Sequence, residues 1–288
     1  MTKKTIAFQG SIGANSHLAC QKFYPDFTAK NFSTFFDVFQ AVESGEVEYG
    51  MIPLENSYAG RVAEIHNLLQ KSSISIVAEH FFTIEHNLAG ISGAGLEDVK
   101  KIYSHPQALM QCQENIRKLP SIKKQVLLGI GAVEEFSNTA EAAKYVASQC
   151  DKSKAAICSK AAAEINGLEI LKKNMQDVEG NFTVFAVISK KSLDTDPTIA
   201  PIITAILFTI KNATGSLYEA LGKLAMNKVS MLKLESYIPS GSSKEACFFI
   251  LIEGHPNQKN VSLALKELGL FSQKIKILGS YYADKSRS

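Results

Sequence analysis

Short apolar runs alternate with amphipathic stretches along the first two-thirds of the chain. KTIAFQG (4–10), YGMIPL (49–54), SISIVAEHFF (73–82), HNLAGI (86–91) and VKKIYSH (99–105) have the length and apolar content of strands. So do KQVLLGI (124–130), KAAICS (154–159), LEIL (168–171) and TVFAVIS (183–189). Helical patterns lie between them at 16–23, 33–45 (ended by Gly45), 61–69, 138–149 and 160–166, and at 106–119 with Pro106 in its first turn. Such alternation predicts a parallel-rich α/β sheet. KKSLDTDPTIAP (190–201) is polar, carries two prolines and reads as a linker. Beyond it the rhythm changes to strand 202–211, helix 215–227, strands 230–238 and 244–254, helix 257–270 and strand 274–281. Leu217, Ala220, Leu221, Leu224 and Ala225 stripe one of these helices; Val261, Ala264, Leu265 and Leu268 stripe the other. The order βαββαβ predicts a ferredoxin-like unit. Two helices would cover one face of its sheet and leave the other open, so self-association is expected.

Composition narrows the class. At 288 residues and 45% hydrophobic, the chain can bury a large core in one or two domains. Its 31 basic and 28 acidic residues are dispersed, which points to no nucleic-acid partner. No apolar run approaches the roughly 20 residues of a membrane span, and MTKKTIAFQGS lacks the pattern of a secretory signal. Cys20, Cys112, Cys150, Cys158 and Cys247 are an odd, scattered set, read as reduced thiols of a cytoplasmic protein. No Cys/His group has metal-ligand spacing, so zinc is not expected.

Ligands of doubly wound sheets sit at the carboxyl ends of strands. Small polar residues gather at such ends here: Gly10 to Ser16, Glu55-Asn56-Ser57, and Ser104-His105 with Gln107 and Gln111. Asn181 and Thr183 open another strand. Each has a plain explanation, since Ser16, Ser57 and Ser104 suit helix caps and Thr suits strands.

Taken together, YGMIPLENS, SHPQALMQC and NFTVF, in that order before a ferredoxin-like unit, resemble the prephenate dehydratase family. AFQGSIGANS and AAICSKAAAEINGLEILKKNMQD extend the resemblance over nearly the whole chain. GSL (215–217), LESYIPSG (234–241) and KILGSYY (276–282) look like the ligand-sensing ACT module. The resemblance implies an α/β, two-lobed, periplasmic-binding-protein-like catalytic domain over 1–190, with lobes at about 1–80 plus 182–190 and 81–181. A linker at 191–201 and an ACT domain at 202–288 complete it. It implies a carbon–oxygen lyase that turns prephenate into phenylpyruvate in phenylalanine synthesis, without cofactor. Thr183 would hydrogen-bond the departing hydroxyl, and Asn56, Ser57, Ser104 and Gln111 would orient the substrate. Phe185 would wall the ring, and backbone N–H groups near Gly10 to Gly13 could add anion binding. L-phenylalanine would regulate from Gly215, Ser216, Leu217, Glu235 and Ser236 in a homodimer or homotetramer.

Two departures qualify this picture. The family's Thr-Arg-Phe is Thr183-Val184-Phe185 here, so position 184 is a supporting position, or Arg61 substitutes, or catalysis is weakened. Its Glu-Ser-Arg-Pro is Glu235-Ser236-Tyr237-Ile238-Pro239, which removes an arginine from the regulatory motif. Arogenate dehydration and a catalytically weakened amino-acid sensor are the alternatives.

Overall fold

The computed structural model describes residues 3–127, 131–237 and 245–287, with backbone alone over 124–127. The chain begins β1 (Thr5–Gln9), α1 (Asn15–Phe23), β2 (Thr28–Phe32), α2 (Phe35–Ser44), β3 (Tyr49–Asn56), β4 (Gly60–Arg61), α3 (Ala63–Lys71) and β5 (Ser75–Thr83). There follow β6 (Asn87–Gly90), β7 (Lys101–Ser104), α4 (Pro106–Gln111), α5 (Gln113–Arg117), α6 (Pro120–Leu127), β8 (Val133–Glu135), α7 (Thr139–Gln149), β9 (Lys154–Cys158), α8 (Lys160–Ile165), β10 (Glu169–Lys172) and β11 (Phe182–Ser189). The last elements are β12 (Ile202–Lys211), α9 (Ser216–Met226), β13 (Met231–Tyr237), β14 (Glu245–Glu253), α10 (Lys259–Phe271) and β15 (Lys274–Tyr282). Three sheets result, ordered β2-β1-β3-β11-β5 with β4 on β3, β10-β6-β9-β7-β8, and β13-β14-β12-β15. The chain forms two compact units: residues up to 34, 55–61 and 82–185, and residues 35–54, 62–81 and 186–288.

In the first unit, the sheet β10-β6-β9-β7-β8 is buried on both faces. Its pleat sends Leu88, Ile102, Ala155 and Ile157 toward Leu109, Cys112, Ile116 and Ile122 of the α4–α6 segment. Ala89, Tyr103, Ala156 and Cys158 pack instead on Ala142, Ala143 and Val146 of α7 and on Ala162 and Ala163 of α8. The ladders β7–β9 and β7–β8 are parallel, whereas β6 runs antiparallel to β9 and β10.

The second unit contains the ferredoxin-like βαββαβ unit expected from sequence. Ile206, Phe208, Ile210, Phe248, Ile250 and Ile252 meet Ala220, Leu224, Val261, Ala264 and Leu268 of α9 and α10. Its other sheet face is not open. Ala205, Leu207, Phe249 and Leu251 are buried, and the covering elements are α3 and β5. The His66 ring meets Phe249 edge-on at 5.0 Å, and Gln70 Nε2 donates to Cys247 Sγ at 3.6 Å. Strand β15 approaches β5 so closely that a Cβ at Gly279 would lie 2.1 Å from Ile76 O; only glycine fits. The expectation of self-association through a bare sheet face therefore loses its basis.

Other differences are local. The helix expected over 106–119 breaks at Cys112 into α4 and α5. The Gln111 carbonyl accepts from Asp177 N at 2.8 Å, while the Asp177 carboxylate accepts from Glu114 N and Asn115 N at 2.9 and 2.8 Å. The 175–177 segment thus satisfies both backbone ends that the break exposes. The strand expected at 124–130 is helical over 124–127, and its remainder lies outside the described residues. Strands β2 and β8 were not expected; TAKNF and VEE are polar and largely exposed edges without an alternating signal.

Candidate active site

Strand β3 buries Met51, Ile52 and Leu54, then turns polar at Glu55 and Asn56. Gly60, at φ +74°, lets the chain turn back so that β4 pairs Gly60 with Asn56. Inside this turn Asn56 Oδ1 accepts from Tyr58 N at 3.1 Å and Ala59 N at 3.0 Å. Its Nδ2 donates to the Phe182 carbonyl at 3.0 Å. Backbone groups on both sides therefore fix which end of the amide is oxygen.

From that anchor the polarity of its neighbours follows. Asn56 Nδ2 also donates to Asn181 Oδ1 at 2.8 Å and to Thr183 Oγ1 at 3.1 Å. Gln111 must turn its Nε2 toward Asn56 Oδ1, at 3.3 Å. Its Oε1 then accepts from Asn181 Nδ2 at 3.0 Å and from His86 Nε2 at 2.8 Å. Three amides close a ring in which each donates to the next, an arrangement whose bonds polarise one another. Ser57 and Phe182 exchange two bonds beside it: Ser57 N to Phe182 O at 2.9 Å and Phe182 N to Ser57 Oγ at 3.0 Å.

Thr183 is 8% exposed and acts here as an acceptor. An amide N–H can only donate, so the threonine's own hydrogen is not used in that contact, and no acceptor for it is recorded among the described residues.

Of the residues expected at the site, Asn56, Ser57, Gln111 and Thr183 come together. Ser104 does not join their hydrogen bonds: it is fully buried and donates to Ile157 O at 2.6 Å, tying β7 to β9. Phe185 is buried edge-on against Phe82 at 6.2 Å. His105 caps α4, its Nδ1 accepting from Gln107 N at 3.3 Å. In the GSIGANS loop, Gly10 N donates to Phe32 O and Gly13 N to His17 Nδ1, which narrows the anion-binding expectation for that loop. Asn181 and His86 were not singled out as binding residues from sequence. His86 opens an apolar strand and gave no local signal beyond its type. A cavity of about 200 Å³ adjoins the amide ring, lined by Gln111, Asn181, Gln176 and Asp177 with Tyr58, Met110 and Val178 around them. Among the described residues no group of three metal-ligating side chains occurs, and no helix is long and apolar enough to cross a membrane.

Residues 6–193 match the family model described as prephenate dehydratase. The chain is 41% identical over 285 residues to a bifunctional N-acyl-homoserine lactone acylase/prephenate dehydratase of Komagataeibacter europaeus, covering 99% of this chain and 98% of that one. It is 31% identical to the bifunctional chorismate mutase/prephenate dehydratase of Escherichia coli (strain K12), covering 96% and 70%. To arogenate dehydratase 2 of Petunia hybrida it is 32% identical, covering 97% and 72%. The structure of prephenate dehydratase from Arthrobacter aurescens in complex with L-Phe superposes with a TM-score of 0.86 at 25% identity, covering 96% and 90%. On the match to residues 6–193 and these relatives, the chain belongs to the prephenate dehydratase family, a family of lyases.

Proposed function

We propose that the protein converts prephenate to phenylpyruvate, carbon dioxide and water. The supporting observation is the polarity of the Asn56–Thr183 contact, which leaves the Thr183 hydrogen for a substrate oxygen. In the reaction, the bond from the ring to its carboxylate breaks and carbon dioxide leaves. That electron pair completes the aromatic ring as the C–O bond opposite breaks. The departing hydroxide takes up one proton and leaves as water. A threonine hydroxyl is too weak an acid to protonate it unaided, so Thr183 contributes a preorganised hydrogen bond, with solvent supplying the net proton. Ser57 and Gln111 orient the substrate with neutral donors, and Asn56, whose amide hydrogens are engaged at Asn181, Phe182 and Thr183, holds that set in place. Ser104 and Phe185 support the strands that carry these groups.

Purified protein with prephenate should produce phenylpyruvate, read by its absorbance in alkali. Absence of turnover in folded protein would overturn the reading. Running arogenate in parallel separates the related reaction, which differs by an amine in place of the side-chain ketone.

Val184 bears on the same reading. It is 2% exposed, so this chain has built an apolar site where the family motif has arginine. Val184→Arg should lower stability by about 2–5 kcal/mol in urea denaturation, without raising turnover. A gain of orders of magnitude in turnover would instead show that valine impairs catalysis.

Regulation by L-phenylalanine at 202–288 is part of the proposal. Gly215, at φ +82°, precedes α9 with no side-chain cap, which suits a ligand carboxylate near Ser216 and Leu217. Burial works to raise the Glu235 pKa, but His66 and Lys233, at 2.8 and 3.0 Å, bring it below its usual value. Residues 238–241 of the regulatory motif lie outside the described residues. Exposed Tyr218, Met226 and Leu270 on α9 and α10 support the proposed homodimer or homotetramer. A calorimetric titration with L-phenylalanine showing neither heat nor a rate change would remove the regulatory assignment.

A second activity is favoured by the N-acyl-homoserine lactone acylase function of the Komagataeibacter relative and by the cavity beside Gln111 and Asn181. Exposed Tyr58, Met110 and Val178 offer apolar surface to an acyl chain, next to amides that could hold the scissile amide. Release of free homoserine lactone from an N-acyl-homoserine lactone would support it; intact substrate after prolonged incubation would exclude it.

A further inference from the structure

We propose that His86 is a positioning residue whose Nε2–H locks the Gln111 amide in the orientation that backbone-fixed Asn56 requires, and so reinforces the hydrogen-bond chain ending at Thr183. This rests on the dehydratase reading. The chain runs from His86 Nε2 to Gln111 Oε1 (2.8 Å), Gln111 Nε2 to Asn56 Oδ1 (3.3 Å) and Asn56 Nδ2 to Thr183 Oγ1 (3.1 Å). Each link presents a donor to the next acceptor, and the Thr183 hydrogen emerges at the far end.

The assignment of donors does not depend on an arbitrary choice of amide rotamer. The 182 carbonyl and the 58 and 59 N–H groups fix Asn56, Asn56 fixes Gln111, and Gln111 then requires a hydrogen on His86 Nε2. A flip of Gln111 would set oxygen against Asn56 Oδ1 and NH₂ against both Asn181 Nδ2 and the imidazole N–H. His86 adds a barrier to that flip beyond the one Asn181 supplies.

The backbone that carries the imidazole is itself held firmly. His86 is 4% exposed, its backbone N–H donates to Gln176 Oε1 at 3.1 Å and its carbonyl accepts from Met175 N at 2.7 Å. The same 175–177 segment ends α4 just after Gln111, so one stretch of chain sets the backbone of both partners. Burial lowers the His86 pKa and favours the neutral ring, in which the single N–H must sit on Nε2 to serve this bond.

Steady-state kinetics with prephenate tests the role. His86→Leu should lower kcat by about 10- to 100-fold with little change in KM, because the substrate still binds but Thr183 is less well aimed. His86→Gln, whose amide nitrogen reaches to about the same place, should recover most of the loss. Adding His86→Leu to Thr183→Val should cost no more than about twofold further, since the chain then has no functional end. Wild-type kcat in His86→Leu, equal losses in the Leu and Gln variants, or additive losses in the double variant would each overturn the proposal. The ¹⁵N spectrum of labelled His86 tests the chain separately from turnover. An Nε2-protonated ring is expected, and an Nδ1-protonated ring would overturn it even if His86→Leu fails to fold. Should wild-type protein lack dehydratase activity, that result would sink the reaction assignment, while the tautomer would still decide the hydrogen-bond chain.

Discussion

Thr183→Val is expected to lower prephenate turnover by about 10²- to 10⁴-fold while KM stays within a few-fold. Valine keeps the branched shape that suits β11 and removes only the hydroxyl. The loss should be confined to chemistry because Asn56 does not depend on Thr183. Its two amide hydrogens still have Asn181 Oδ1 and Phe182 O at 2.8 and 3.0 Å. No buried donor is stranded, and stability should change by about 1 kcal/mol or less in urea denaturation. Thr183→Ser, which retains a hydroxyl on a freer side chain, should sit between wild type and valine. If valine turned over prephenate as fast as threonine, the leaving-group role would be wrong.

The largest stability effect is expected far from that site. The Glu79 side chain is fully buried, and its carboxylate accepts from Arg287 Nε and Nη2 at 2.6 and 2.8 Å and from the Tyr281 hydroxyl at 3.3 Å. The guanidinium also lies 5.4 Å from the centroid of Phe81. Two parallel N–H donors meet two carboxylate oxygens, which is the geometry that makes such a pair strong. The pair fastens the C-terminal residues to β5, alongside the His80–Asp284 contact at 3.3 Å. Arg287→Ala would leave a buried carboxylate with only a tyrosine hydroxyl, at a cost of about 3–5 kcal/mol. Replacing Glu79 by leucine in the same chain should recover much of that loss, because the uncompensated charge is then gone. Urea denaturation of both variants measures it; unchanged stability in Arg287→Ala would show that the ion pair contributes nothing.

The sequence carried most of the architecture through periodicity. The run 202–211 was legible as a strand, and βαββαβ emerged from the order of elements. The same runs contained a further signal. Apart from Thr204 and Thr209, IITAILFTI and ACFFILI are apolar throughout rather than alternating, the pattern of strands buried on both faces. What covers the second face was not legible, because α3 and β5 precede those strands by more than a hundred residues. Edges were hidden for a different reason: TAKNF and VEE pair through backbone and bury little. The break at Cys112 also has no local cause, since it is Asp177 that meets the exposed backbone groups.

At the site, residue types were legible where motif resemblance pointed to them, at Asn56, Ser57, Gln111 and Thr183. The directions of their hydrogen bonds were not. Direction comes from backbone groups at 58, 59 and 182 that only the fold places around Asn56. Ser104 illustrates the converse: its type fits substrate binding, but in the fold its proton goes to Ile157 O.

The most direct measurement is a crystal structure of the Thr183→Val protein soaked with prephenate, in which slow turnover preserves the substrate. The ring hydroxyl is predicted to rest against the residue 183 side chain, at a position within about 3 Å of where the threonine oxygen would lie, with Asn56 and Gln111 alongside. A well-ordered substrate whose hydroxyl points away from residue 183, toward a different donor, would contradict the account.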